Sequence, residues 1–399
     1  MVSIESIGAP LAYPVANPPH ELPGGDRPWD GSGVALRTVV RELEGMQKEA
    51  VVTLRPFESV WRVVSDEGPY LNGTDLAPFP LAFFSAGMQF SLMSEILQAA
   101  ARRGVPLEAL AVEADNRYSM EGSFLRGDAH GGAFPPEITV SVQSPATPEA
   151  VAAMITEATV LCPAQTLVRD VFANTFTLTL NGAPVDLEAL VEPEDSAVDY
   201  DESRFDALKP AVVPSRPLIE KIEAAEVLTG VEGGAGSSLK AEQKRILHVH
   251  SEGRWIEGMR TVCDVRLIKP IGSTFRFHSD EVEERGGDGA APPPLVYLTA
   301  GIGFCYMTQL GRYSQIIKRP LDGYAIVQDN AFSAAGPGDE PTRGGPTETH
   351  VFLSAAFGTA EGADLVTVGE RTCFLHAAMR TEVPSRIQAK LNGESLALS

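Results

Sequence analysis

The polar and apolar positions of this chain change rhythm in the same order twice. Around residue 55, the stretches 51–54 and 60–64 alternate about a turn at Pro56, the period-two signature of a β-hairpin. Around residue 270, the stretches 263–268 and 274–278 do the same about Pro270. A Gly/Pro-rich loop follows each hairpin, and the rhythm then lengthens. Ile302, Cys305, Tyr306, Leu310, Tyr313 and Ile317 recur every three or four positions. That spacing predicts a helix from Pro294 to about Lys318, stopped by Pro320. A second hairpin is predicted over 324–328 and 349–355. A second helix then runs up to Cys373, and a final strand ends at Asn392.

The recurrence is an internal duplication, a feature that decides how the rest of a chain is read. Residues 55–116 align with 269–330 without a gap. "RPFESVWRVVSDE" matches "KPIGSTFRFHSDE", and "AGMQFSLMSE" matches "AGIGFCYMTQ". Farther on, "LCPAQTLVRD" matches "TCFLHAAMRT", which pairs Cys162 with Cys373. Ser91 stands where the second copy has Cys305. Each copy reads as an α+β unit, with domains at 36–185 and 245–399. Residues 1–35 are expected to form an irregular arm. Residues 186–244 are expected to form a linker, acidic in "EPEDSAVDYDESRFD" and small and polar in "GVEGGAGSSLKAEQ". Within it, "RPLIEKIEAAEVL" reads as a short helix.

Composition narrows the function classes. The 399 residues carry a net charge of −21, which argues against nucleic acid or an anionic membrane as a partner. No apolar run approaches the length of a membrane span. The first residues lack the basic and apolar regions of a secretory signal. Four cysteines, Cys162, Cys263, Cys305 and Cys373, are too few for a disulfide scaffold, so a cytoplasmic location is expected.

In each copy a hairpin leads to a loop and a long helix, and a cysteine follows at a helix junction. With "DEVEERGGDGAAPPPLVYLTAGIGFC" and "LCPAQTLVRD", this order resembles the OsmC/Ohr family. The resemblance implies a tandem protein whose two copies form an intramolecular pseudo-dimer. Long central helices would pack between antiparallel sheets, with two pseudo-equivalent sites at the interface. It also implies reduction of organic hydroperoxides. Cys305 would attack and become a sulfenic acid, Cys373 would resolve it, and a dithiol would reduce the disulfide. Ser91 leaves the first site without that chemistry. Peroxidase members of the family carry a Glu just after the Pro that starts the helix, where it orients an activating Arg. Here Leu295 and Val296 follow Pro294, and Leu81 and Ala82 follow Pro80. Arg55, Lys269, Arg62 and Arg276 are the nearest candidates for the activating cation.

Other residues complete the candidate set. His278, His350 and His376 replace Val64, Thr139 and Gln165 of the first copy, so all three accompany the thiol. A histidine there would serve as base or proton donor. This leaves a second reading open: a non-redox cysteine hydrolase, lyase or isomerase. A third is a binding protein without chemistry. Arg62 and Arg276, with Phe304 and Tyr306 from the aromatic helix start, are candidates for substrate binding, and the apolar setting suits a small hydrophobic substrate. His248 and His250 share one face of a strand, but the His and Cys spacings fit no zinc pattern, so neither metal nor cofactor is expected. The chain is expected to be a monomer or a homodimer.

Overall fold

The computed structural model describes residues 2–16, 33–57, 59–124, 126–193, 198–225, 243–333 and 341–398. The chain begins with α1 (Ile4–Ile7) and β1 (Ala12–Pro14). The first copy follows as β2 (Val34–Glu42), β3 (Lys48–Arg55), β4 (Ser59–Ser65), α2 (Pro80–Arg103), β5 (Ala109–Gly122), β6 (His130–Ala133), β7 (Glu137–Gln143), α3 (Pro148–Leu161), α4 (Pro163–Arg169), β8 (Asn174–Leu180) and β9 (Ala183–Val185). Between the copies lie α5 (Ser203–Asp206) and β10 (Ile219–Glu223). The second copy is β11 (Gln243–Glu257), β12 (Arg260–Lys269), β13 (Thr274–Ser279), α6 (Pro294–Ile316), β14 (Gly323–Phe332), β15 (Thr347–Ser354), α7 (Thr359–Thr372), α8 (Phe374–Met379), β16 (Arg386–Leu391) and β17 (Glu394–Leu396).

The fold is α+β, with α2 and α6 packed on each other between two sheets. One sheet runs β1-β4-β3-β2-β14-β15-β8-β9 and the other β10-β13-β12-β11-β5-β7-β16-β17. Each sheet takes its first strands from one copy, the next two from the other, and its last strands from the first again. The halves are therefore interlaced rather than side by side. The sheets are antiparallel except at β15–β8 and β16–β7, which are parallel. Those strands arrive from helices rather than tight turns, so no hairpin dictates their direction.

Both central helices start with a Pro at the first helical position, where the missing N–H costs nothing. They are buried almost all round because sheets flank them on both sides. Two glycines let them touch. A Cβ on Gly87 would lie 2.5 Å from the Leu298 backbone nitrogen, and one on Gly301 would lie 2.6 Å from that of Phe84. Gly87 and Gly301 match each other in the repeat, as do Phe84 and Leu298, so the contact is reciprocal. Phe83, Phe277, Tyr297 and Phe304 fill the space around it, with ring centroids 5.1 to 6.1 Å apart.

The flanking segments are more ordered than expected. The arm supplies α1 and the edge strand β1, paired to β4. "RPLIEKIEAAEVL" contains β10, paired to β13, rather than a helix. Its helical propensity loses to the open backbone edge of β13, whose unpaired groups need partners. The linker also packs. Phe205 is buried in a cluster with Tyr13, Val39, Val51 and Val327, and Tyr200 and Leu208 lie against it. It thereby straps the outer face of the first sheet. Residues 17–32 of the expected arm and 194–197 and 226–242 of the expected linker lie outside the described residues.

Candidate active site

Cys305 lies in the middle of α6, and Cys373 is the N-cap of α8. Their sulfurs are 3.5 Å apart, and both are free thiols. The repeat places Ser91 Oγ in the same relation to Cys162 Sγ, at 3.2 Å. Cys373 is fully buried. Cys305 is 2% exposed and lines a cleft of about 30 Å³, room for one or two water-sized groups. That cleft is built by both copies: Tyr70, Phe79 and Leu81 come from the first, and Leu247, Leu267 and Phe374 from the second.

The two sulfurs are not equivalent. Burial alone would push the Cys373 thiol up. The hydrogen bond with Cys305, the neighbouring His376 imidazole and the His376 backbone N–H outweigh it and hold Cys373 well below an ordinary thiol. Burial pushes Cys305 up, as do its bond with Cys373 and the charge there, against a Leu375 N–H. Of the two sulfurs, Cys373 is therefore the one whose surroundings favour a thiolate, and Cys305 the one whose surroundings disfavour it. In the first copy, Gln165 replaces the imidazole, and burial pushes Cys162 up to about 11 despite its bond to Ser91.

No family model and no curated protein matches the chain. Among solved structures, it is similar to an OsmC-like hydroperoxide resistance protein from Jannaschia sp. CCS1. The match has 23% identity, covers 37% of this chain and 95% of that one, and has a TM-score of 0.23.

Sequence reasoning missed a carboxyl group in the cleft. Glu67, contributed by the first copy, lines the same wall as Cys305. Thr308 Oγ1 donates to it at 3.0 Å and Tyr70 Oη at 2.8 Å. Burial raises its pKa, and Lys48, Tyr70, Thr308 and Arg312 pull the other way. Lys48, fully buried on β3, donates to the Met46 carbonyl at 2.6 Å, and burial lowers its pKa against Glu67, Asp66 and Cys305. The available signal was the Ser-Asp-Glu triplet at the end of both first hairpins. In the other cleft the matching Glu281 accepts from Ser94 and pairs with Arg285, which also grips Glu95 at 2.6 Å.

The remaining candidates lie elsewhere. His278 and Arg276 alternate with the inward Phe275 and Phe277 on β13, so both point outward. Arg276 makes two 2.6 Å bonds to Asp264 there. Arg62 is buried on the outer side of the first sheet, bonded to Glu49 and covered by Tyr13. Arg55 and Lys269 end β3 and β12. Phe304 packs against Phe83 in the helix interface. Tyr306 is enclosed by Phe176 and His376, its hydroxyl donating to the Val366 carbonyl. Neither aromatic lines the cleft. His248 and His250 both bond Asp115 on the outer face of the second sheet, at 2.6 and 3.0 Å. His350 sits on the outer side of β15, its Nδ1 2.9 Å from Thr177 Oγ1. Its donor atom lies within 4.8 Å of those of Asp329 and Glu348, a grouping with metal-ligating chemistry. Arg37 grips both Asp329 oxygens at 2.7 and 2.6 Å, so an ion pair already occupies that carboxylate.

Proposed function

We propose that the chain is a tandem OsmC/Ohr-type thiol peroxidase, with its two copies forming an intramolecular pseudo-dimer and one working cleft. The observation that carries this reading is the Cys305–Cys373 pair, its sulfurs 3.5 Å apart, with Cys305 at the wall of a mostly apolar cleft. Cys305 faces the cleft and is the attacking atom. Cys373 takes the Cys305 proton as attack begins. The Cys305 thiolate bonds to the terminal oxygen of a hydroperoxide, the O–O bond breaks, and an alkoxide leaves and is protonated to an alcohol. Cys305 is then a sulfenic acid. Cys373 attacks that sulfur, water leaves, and a disulfide forms. A disulfide sets its sulfurs about 2.05 Å apart, so closure needs only a short approach. A dithiol reduces the bond and is itself oxidised. The cleft as it stands has room for the peroxide group, and the apolar part of a small organic hydroperoxide is accommodated as the side chains of Phe79, Leu81 and Leu267 move apart.

A non-redox cysteine mechanism would need a base at Cys305. His278 and His350 face away from it, and His376 lies at Cys373, which favours the redox reading. The test is titration of free thiols before and after one equivalent of cumene hydroperoxide. Loss of two thiols per chain, mapped to Cys305 and Cys373, is expected. Four thiols still free would refute it.

A further inference from the structure

The alkoxide that leaves in this reaction is a strong base and needs a proton, and the dithiol has none to spare: the one Cys373 took from Cys305 leaves with the water when the disulfide closes. The cleft holds another source. Glu67 lines the same wall as Cys305, and the wholly buried Lys48 acts on it electrostatically. Two hydroxyl donors, Thr308 and Tyr70, fix the Glu67 carboxyl. Thr308 is on the same helix as Cys305, three positions on, so the carboxyl is tied to the face that carries the thiol. The Met46 carbonyl fixes the Lys48 ammonium.

We propose that Glu67, backed by Lys48, is the acid that protonates the leaving alkoxide. This rests on the peroxidase reading and adds a catalytic residue to it. Burial disfavours charge on both groups, which favours a Glu67 carboxyl that keeps its proton until a base as strong as an alkoxide forms in the cleft. Asp66, Glu42, Tyr70, Arg312 and Cys305 are the other titratable groups that act on the pair. Glu67 belongs to the first copy and Cys305 to the second, so the site is complete only where the copies interlace. The matching carboxylate in the other cleft, Glu281, is instead held by an arginine, Arg285. A guanidinium that does not release its proton makes a poor relay. The asymmetry thus extends beyond Ser91: the cleft with the dithiol is also the one with a carboxyl–lysine proton source.

The test uses two oxidants whose leaving groups differ. Cumene hydroperoxide releases an alkoxide that must be protonated, whereas peracetic acid releases acetate, which needs no proton. Disulfide formation is followed by quenched thiol titration in the full chain and in Glu67→Gln. The variant should lose about 10²-fold in rate with cumene hydroperoxide and stay within a few-fold of the wild type with peracetic acid. An unchanged rate with cumene hydroperoxide, or an equal loss with both oxidants, overturns the assignment. The wild type supplies a second measurement that does not depend on a variant folding. Its reaction should slow in D₂O more with cumene hydroperoxide than with peracetic acid, and equal isotope effects also overturn the assignment. A wild type inert to both oxidants sinks the peroxidase reading itself, and the role of Glu67 with it.

Discussion

Gly301→Ala tests the interlaced core and the site it carries. The added methyl would sit 2.6 Å from the Phe84 nitrogen and 3.0 Å from the Phe84 Cα and Cβ. Ordinary contact begins near 3.4 Å, so α2 and α6 must move apart by most of an ångström. The obstacle is helix backbone, which cannot swing aside as a side chain can. Overpacking of this kind costs about 1–3 kcal/mol, and the backbone obstacle puts it at the upper end. Alanine returns about 1 kcal/mol of helix propensity, leaving a net loss of about 2 kcal/mol. Gly303→Ala is the control on the same helix. There the nearest atom is a Val40 methyl at 3.0 Å, followed by side-chain tips of Ile326 and Thr38 at 3.6 Å. Its propensity gain should offset the smaller clash, leaving stability within about 1 kcal/mol of the wild type. Urea unfolding followed by tryptophan fluorescence gives both values. Cys305 lies one turn beyond Gly301, so Gly301→Ala should also slow disulfide formation. A Gly301→Ala protein as stable as the wild type, or no less stable than Gly303→Ala, would refute the close helix contact.

Four further outcomes follow from the site and its surroundings. His376→Gln installs the residue of the first copy and should move the midpoint of iodoacetamide alkylation of the thiol pair to higher pH, because the imidazole that favours charge on Cys373 is gone. Cys162 should resist alkylation at pH 8 in the folded protein, since burial holds it at about 11, and react once the chain is unfolded. Cys373→Ser removes the group that takes the Cys305 proton, so it should consume hydroperoxide much more slowly, and what reacts should stop at a sulfenic acid on Cys305, trapped by dimedone and read by mass spectrometry, whereas Cys305→Ser should consume none. Asp115 raises the His250 pKa above its ordinary value despite partial burial, so the stability from that pair is present below the unfolded histidine pKa and lost as pH rises through the folded one. The side chains are partly exposed, so the contribution is about 1 kcal/mol or less, and Asp115→Asn should shift the His250 NMR titration to lower pH.

The helices and hairpins were legible because each is a local pattern. The 3–4 spacing through Ile302, Cys305, Tyr306 and Leu310 marked α6, and alternation marked β12 and β13. The partner of each strand was not legible, because alternation says which face is buried and not which edge is paired. Nothing local reveals that β5 meets β11, or that β10 is drawn onto the edge of β13. The outward placement of His278 was legible in principle: inward Phe275 and Phe277 on either side of Arg276 fix the opposite face for Arg276 and His278 alike. The dithiol pair was visible because cysteine is rare in this chain. Glu67 was not, because glutamate is common and its meeting with Cys305 depends on one copy reaching across the other. Burial raises the pKa of that ordinary carboxyl, and burial is a property of the folded chain.

The most direct measurement is intact-chain and peptide mass spectrometry after a single equivalent of cumene hydroperoxide, with released cumyl alcohol quantified in the same sample. One Cys305–Cys373 disulfide per alcohol is expected, with Cys162 and Cys263 still reduced. An unreacted chain, or oxidation that falls on Cys162 or Cys263 and spares the Cys305–Cys373 pair, would contradict the proposed chemistry.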